Sequence, residues 1–240
     1  TATGTAPKKA AARLRGGYAA PTEGQMALFV GDVQVSEPVQ AEADGTYIMT
    51  VPAAEVLLQG NAEQNGNAVT LTAKFVGNTS MADGAGTVNV NISAVAKIER
   101  DGTVIGYYGE NNLDSAFNAG NTEATVTLMK DAELSNYIQI RNATFTLDLN
   151  GHNISKTDNC AISLNTDANL TICGSGKVTG YVNTVIVGLG ATLTLEGGNF
   201  SFSNAQGNGV KVESGGALNV TGAGVKISNL GAQYNTTISL

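Results

Sequence analysis

Four segments decide the architecture: Leu147-Asp-Leu-Asn-Gly151, Leu170-Thr-Ile-Cys-Gly174, Leu193-Thr-Leu-Glu-Gly197 and Leu218-Asn-Val-Thr-Gly222. They align without gaps, and their leading leucines are spaced 23 (147 to 170), 23 (170 to 193) and 25 (193 to 218) residues apart. Upstream of the last three, Ile162, Val185 and Val210 each begin a second apolar alternation. Downstream come Ile154, Val178, Phe200-Ser-Phe202 and Val225-Lys-Ile227. Each repeat thus carries three short strands and cannot bury its apolar face alone. Stacked as coils of a parallel β-solenoid, the repeats share one core and rise by ~4.8 Å each, the strand spacing. This reading stacks Leu147, Leu170, Leu193 and Leu218 over one another, with Leu149, Ile172, Leu195 and Val220 in the neighbouring inward column. Gly151, Gly174, Gly197 and Gly222 fall at corners, where a positive φ or a close backbone approach favours glycine. A leucine-rich horseshoe overlaps in repeat length, but the repeats carry neither its L-x-x-L-x-L consensus nor a helical stretch.

An open solenoid end exposes apolar side chains and unpaired backbone, so something must cover it. Asn111-Asn-Leu-Asp-Ser-Ala-Phe-Asn-Ala-Gly120 is the one convincing helix. An Asn can cap it, Leu113, Ala116 and Phe117 share a face, and Gly120 can end it. Residues 112–119 are therefore expected to cap the first coil. At the far end Ile238 and Leu240 begin another alternation: either residues beyond Leu240 complete that coil, which is the favoured expectation, or the end is tucked in without a cap.

Before residue 100 the pattern is antiparallel, with period-two alternation in Leu28/Val30, Val33/Val35, Tyr47/Met49/Val51, Val69/Leu71/Ala73/Phe75 and Val88/Val90/Ile92. Turn signals such as Asp44-Gly45 punctuate it, as in a β-sandwich. Gly24-Gln-Met-Ala-Leu-Phe-Val-Gly-Asp32, Asp44-Gly-Thr-Tyr-Ile-Met-Thr-Val-Pro52 and Val69-Thr-Leu-Thr-Ala-Lys-Phe-Val-Gly-Asn78 resemble the bacterial Ig-like repeat family of surface proteins. The resemblance covers about residues 8–96, with Phe75 and Asn78 where that family usually has Tyr and Asp. The family's first strand is poorly represented in Thr1–Pro7, which suggests a chain cut from something longer. The second half, about residues 104–240, resembles the right-handed parallel β-helix of the pectate-lyase-like superfamily, above all in Thr146-Leu-Asp-Leu-Asn-Gly-His-Asn-Ile-Ser155.

Composition narrows the chemistry. The 240 residues include 30 glycines, and 13 Lys+Arg against 20 Asp+Glu give a formal charge of −7. That sign weighs against nucleic acid or an anionic membrane as the main partner. No apolar run approaches the ~20 residues of a membrane helix. One His and two Cys cannot fill a four-ligand zinc site from those types alone. Thr1 opens the chain with neither Met nor a signal-peptide pattern, as expected of a mature piece or an excised fragment. The basic cluster Lys8-Lys9…Arg13…Arg15 reads as a strand edge and lacks the aromatic residues of a nucleic-acid site.

Asn165-Thr166-Asp167 reproduces one motif of the β-helical polygalacturonases, but their Asp-Asp, Gly-His-Gly and Arg-Ile-Lys motifs do not occur; Asp167 reads more simply as a turn residue. Asp148 and Glu196 are expected to point outward, two coils and two strand positions apart, a diagonal of ~12 Å at the backbone. Glycoside hydrolysis uses carboxyl groups ~5–9.5 Å apart. On the gap-free alignment the column of Asp148 continues as Thr171, Thr194 and Asn219, a solvated polar ladder. Asp131, Glu133, Asp158, Asp167 and Glu213 are scattered, so Lys211 or Arg141 has no acidic cluster beside it to act as a lyase base. His152 reads as polar surface at a corner. Cys160 is expected to face inward and Cys173 outward, which disfavours a disulfide and leaves free thiols.

The expectation is an all-β chain: an Ig-like β-sandwich over 1–97, then a right-handed parallel β-helix with a short N-terminal capping helix over 98–240. Its expected role is non-catalytic, a rigid spacer and adhesion or ligand-presenting surface of a bacterial cell-surface or secreted protein. Catalytic, cofactor-binding and metal-binding residues are expected to be none, although weak calcium binding at Asp/Asn turns is compatible with the composition. Host or environmental glycan, or protein, is the expected partner, and a monomer the expected state of the module. The rival is a polysaccharide lyase or glycoside hydrolase of the pectate-lyase-like superfamily; a trimeric phage-type receptor-binding spike is a third reading.

Overall fold

The computed structural model describes residues 9–14, 25–40, 42–43, 46–60, 68–76, 86–91, 94–204 and 207–240. The chain is nearly all β and divides into two compact units, Thr1–Ser93 and Ala94–Leu240.

In the first unit, strands Gln25–Val30, Val33–Gln34, Val39–Gln40, Ala68–Val76 and Gly86–Asn91 form one antiparallel sheet. Lys9–Leu14 pairs antiparallel with Tyr47–Pro52. Alternation does what period two requires: Tyr47, Met49 and Val51 are buried while Ile48 is 45% exposed. Leu28, Val69, Leu71 and Ala73 are buried too, and the Tyr47 and Phe75 rings meet edge-on at 6.1 Å. Two expectations need correction. Val33 is exposed and only Val35 is buried, because the chain turns at Gly31 (φ +59°) and Val33 sits on the outer position of a two-residue strand. Ala53–Gln59 is an α-helix that period-two reading passes over, held by burial of Val56 and Leu57. Asp44-Gly45, Asn78, Ile92, Lys8 and Arg15 lie outside the described residues.

The second unit is a parallel β-helix of about five turns with three sheets. The threonine sheet stacks Ala124–Leu128, Thr144–Asp148, Asn169–Cys173, Thr192–Leu195, Ala217–Val220 and Thr237–Ser239. The short sheet stacks Ala132–Glu133, Ile154–Ser155, Lys177–Gly180, Asn199–Phe202 and Lys226–Ile227. The isoleucine sheet stacks Ile138–Arg141, Ile162–Asn165, Asn183–Val187, Asn208–Val212 and Leu230–Ala232. Their inward residues make a single aliphatic core that includes Leu128, Ile140, Leu149, Ile162, Ile172 and Phe200, all below 2% exposed.

The register departs from the gap-free alignment. Leu170, Leu193 and Leu218 do stack, but the residue beneath Leu170 is Phe145, and Leu147 lies beneath Ile172. The two inward columns are therefore Ala124–Phe145–Leu170–Leu193–Leu218–Ile238 and Val126–Leu147–Ile172–Leu195–Val220. A slip of two residues preserves which face each side chain takes, so the inward set survives while its partners change. The corner explains the true register. Asn142, Asp167, Gly190, Gly215 and Asn235 each stand two residues before the first paired position of a coil, and all are left-handed, with φ of 49°, 52°, 73°, 78° and 62°. Glycine, asparagine and aspartate adopt this conformation most cheaply, so one residue per coil dictates where the next strand starts.

The corner glycines split by cause. Gly151 and Gly174 have φ of +84° and +76°. Gly197 and Gly222 have ordinary φ, but a Cβ there would collide with the backbone carbonyls of Gly174 and Glu196 in the coil below.

The expected short capping helix is present as a 3₁₀ helix, Glu110–Phe117, kinked at Asn112 (φ −144°). The Asn112 side-chain oxygen accepts the Gly109 N–H at 3.0 Å, pulling its own backbone off helical geometry. The apolar face is the anticipated one: Leu113, Ala116 and Phe117 are buried, and Phe117 packs edge-on against Phe145 at 5.3 Å. An antiparallel hairpin, Ala96–Arg100 with Thr103–Tyr108, pairs with Ala124–Leu128 and prolongs the threonine sheet.

Candidate functional site: the outer face of the threonine sheet

Every second residue of the threonine sheet points outward, and stacking turns those residues into columns. One runs Thr125–Thr146–Thr171–Thr194–Asn219–Ser239, and beside it lies Thr144–Asn169–Thr192–Ala217–Thr237. Thr144, Thr146, Thr171, Thr192 and Thr194 are half-buried. β-branched threonine suits this position because it is stiff and covers the pleated backbone.

The third column corrects the sequence reading. Thr127 and Asp148 are paired, Asp148 is paired with Cys173, and Glu196 follows Leu195, the partner of Ile172, at the end of its strand and close enough to act on Cys173. Asp148 and Glu196 are thus in one column two coils apart, ~9.6 Å at the backbone, rather than on a ~12 Å diagonal. The column of Asp148 is not Thr171, Thr194 and Asn219, which belong to Thr146. One Asp148 carboxylate oxygen accepts the Asn150 N–H at 2.8 Å, while the Asn150 side chain donates to the Leu128 carbonyl at 3.0 Å. Glu196 is exposed and Cys173 half-buried. Burial, then the charges of Asp148 and Glu196, push the Cys173 thiol up from its ordinary value. On the hairpin beside this face, Lys97 pairs with Glu99 at 3.3 Å.

Other candidates sit elsewhere. Asn165 ends a strand, and Thr166 and Asp167 form the left-handed corner, the turn role assigned to them. Lys211 pairs with Glu213 at 3.0 Å on the isoleucine sheet, and Arg141 is exposed at the end of its strand. His152 is engaged beyond plain surface: its Nδ1 lies 3.6 Å from Asp131. The Asp131 carboxylate accepts the backbone and side-chain N–H groups of Asn153 at 2.8 and 3.1 Å, and these bonds, with His152, hold it below the usual carboxylate range. The Asn153 side-chain oxygen accepts the Lys177 N–H at 3.0 Å, carrying the ladder to the next coil.

Both cysteines are free; Cys160 is buried, and burial raises its thiol too. Sequence reading passed over Lys156, which is 7% exposed and takes the inward position beside Ile154. Its ammonium pairs with Asp158. Among the described residues, no group of three or more His, Cys, Asp and Glu could hold a metal ion. None of the helices among the described residues is long and apolar enough to cross a membrane.

Compared with protein-family models, curated proteins and solved structures, the chain matches none.

The column Asp148–Cys173–Glu196 was legible in principle. Anchoring the alignment on Asn142, Asp167, Gly190, Gly215 and Asn235, each three residues before an inward apolar residue, gives the true register. Aligning on leucines and glycines hides it.

Proposed function

We propose that the chain is a non-catalytic module of a bacterial cell-surface or secreted protein, a rigid spacer that presents its threonine sheet to a ligand, with glycan the favoured ligand class. The observation that carries this reading is the pair of uncharged columns on the coils of one sheet, hydroxyl and amide side chains throughout except at Ala217. Such a surface offers donors and acceptors at fixed intervals on a core that resists bending, which suits repetitive polar ligands. The likeness of the first unit to Ig-like surface repeats, and of the second to right-handed pectate-lyase-like helices, supports the extracellular setting by analogy. Immobilised-glycan binding, read alongside depolymerisation assays on acidic and neutral polysaccharides with and without calcium, tests it. Binding without cleavage is expected, and reproducible cleavage overturns it.

The corrected register favours one rival. A carboxylate pair ~9.6 Å apart at the backbone lies just beyond the ~6.5–9.5 Å between the carboxyl groups of inverting glycosidases, a gap that side-chain reach can close. Two features weigh against that use. Cys173 occupies the position between the two carboxylates where water would need to attack, and Asp148 is engaged with its own turn through Asn150. Loss of any cleavage activity in Glu196→Gln would establish the rival.

A further inference from the structure

At one corner of the solenoid Asn150 precedes Gly151. An asparagine loses its amide most readily before glycine, which has no side chain to hinder attack by its own backbone nitrogen on the preceding carboxamide. Here the pair forms the centre of a tight turn. Both residues have positive φ, 46° and 84°, and the His152 N–H donates to the Leu149 carbonyl at 2.7 Å, as in a type I′ turn. The Asp148 carboxylate braces the turn by accepting the Asn150 N–H at 2.8 Å.

Both groups that would react are held by neighbouring coils. The Gly151 N–H, the nucleophile once it has lost its proton, donates to the Ser175 carbonyl of the next coil at 2.6 Å. The Asn150 carboxamide, the electrophile, donates through its side-chain nitrogen to the Leu128 carbonyl of the preceding coil at 3.0 Å. Asn150 itself is exposed, so water and base reach it. A second such pair among the described residues, Asn208-Gly209, lies within a strand. Asn208 is half-buried and donates to the Asn183 side-chain oxygen at 2.9 Å, and the Gly209 N–H donates to the Asn229 carbonyl at 2.8 Å. Asn65-Gly66 lies outside the described residues.

We infer that Asn150 is a conformation-gated deamidation site, shut while its corner is clamped between Leu128 and Ser175 and opened when the coils on either side part. In the open corner the Gly151 nitrogen gives its proton to a solvent base and bonds to Asn150 Cγ. The Cγ–Nδ2 bond breaks and ammonia leaves, closing a succinimide ring. Water then opens the ring at either carbonyl, to aspartate or to isoaspartate. Neither product at neutral pH donates to the Leu128 carbonyl, and isoaspartate carries an extra methylene in the main chain. The corner therefore does not reclose on its native partners, and the modification is a lasting record of the opening.

The test incubates the full chain at mildly alkaline pH, native and in urea, and maps amide-to-acid conversion and isoaspartate by peptide mass over time. Asn150 should convert in urea and convert about ten- to a hundredfold more slowly in the native protein, the factor that two or three hydrogen bonds of ordinary strength impose on local opening. Asp148→Ala, which removes the brace, should raise the native rate severalfold and leave the rate in urea unchanged. Asn150→Asp, one of the two products, should lower the urea midpoint. Equal rates in native buffer and in urea would overturn the gate, and so would a native rate indifferent to Asp148→Ala. Faster native conversion at Asn208 than at Asn150 would overturn the choice of site. An unchanged midpoint for Asn150→Asp would overturn the claim that the product holds the corner open.

Discussion

The ammonium of Lys156 pairs with the carboxylate of Asp158, although the lysine side chain is 7% exposed and the aspartate 75%. The lysine stem takes the inward position that follows Ile154 and Ser155 on the short sheet. Thr184, fully buried, accepts the Gly180 N–H at 3.1 Å and donates to the Ser201 carbonyl, so this corner is a polar inlay in an apolar wall. The amine leaves the core only through its contact with Asp158.

That asymmetry makes the two partners unequal under mutation. Asp158→Ala leaves a mostly buried ammonium without its carboxylate and should destabilise the solenoid. Lys156→Met fills the same volume without a charge and should be neutral or stabilising. Urea midpoints of the two variants check this, and a larger loss for Lys156→Met than for Asp158→Ala would contradict it.

Acid should loosen the same corners. The hydrogen bond from Lys156 holds the Asp158 carboxyl below its ordinary range, and the N–H groups of Asn153 do so for Asp131. A depressed folded pKa contributes stability that is fully present above the unfolded value, ~3.9, and is lost as pH falls through the folded one. The stability gap between wild type and a double Asp131→Asn, Asp158→Asn variant should therefore be constant from neutral pH to mildly acid and close below about pH 3.9. Both carboxylates are solvent-facing, so the gap should also shrink in high salt.

Cys173 lies within reach of solvent yet should react slowly. Burial and the two flanking carboxylates disfavour its thiolate. Alkylation at neutral pH, mapped by peptide mass, should be slower than for a free cysteine. Asp148→Asn with Glu196→Gln should accelerate it, and an unchanged rate would place the carboxylates elsewhere. Cys160, raised by burial alone among its upward causes, should be unaffected by that double variant.

Register is open to a covalent test. Asp148 is paired with Cys173, so Asp148→Cys places two thiols at the ~4.8 Å strand spacing, inside the ~4.4–6.8 Å Cα range of disulfides. Oxidation should give an intramolecular bond to Cys173. Asn150→Cys, which a register shifted by two would bring opposite, should not cross-link.

Two core and corner substitutions separate packing from backbone. Leu193→Ala removes a fully buried side chain from the middle of a column and should cost about 2–5 kcal/mol. Gly190→Ala puts a Cβ at φ +73° and within 2.7 Å of an Asp167 carboxylate oxygen, and should cost at least ~1 kcal/mol. Asn142→Gly, at φ 49° on the same corner, should cost much less.

Much of this molecule was legible in sequence because stacked coils repeat the same local problem. The inward set on the threonine sheet, the Asp167 turn and the face of the capping segment follow from alternation and turn chemistry. The partner of each residue does not. Leu147 faces inward in either register, so hydrophobicity cannot distinguish Leu170 from Ile172 as its neighbour. Lys156 escapes a reading by hydrophobicity because a lysine at an inward position looks like a polar outward one until its partner Asp158 is placed. The capping segment kinks because the Asn112 side chain competes for Gly109, which a helical wheel does not contain.

The sequence by itself determined that the second half winds as parallel coils with an aliphatic interior, since a repeat of three short strands has no other way to bury its apolar face. Only the tertiary structure decided that Asp148 and Glu196 share a column on either side of Cys173. A column is a relation between coils, set by where each left-handed corner releases the chain into its next strand.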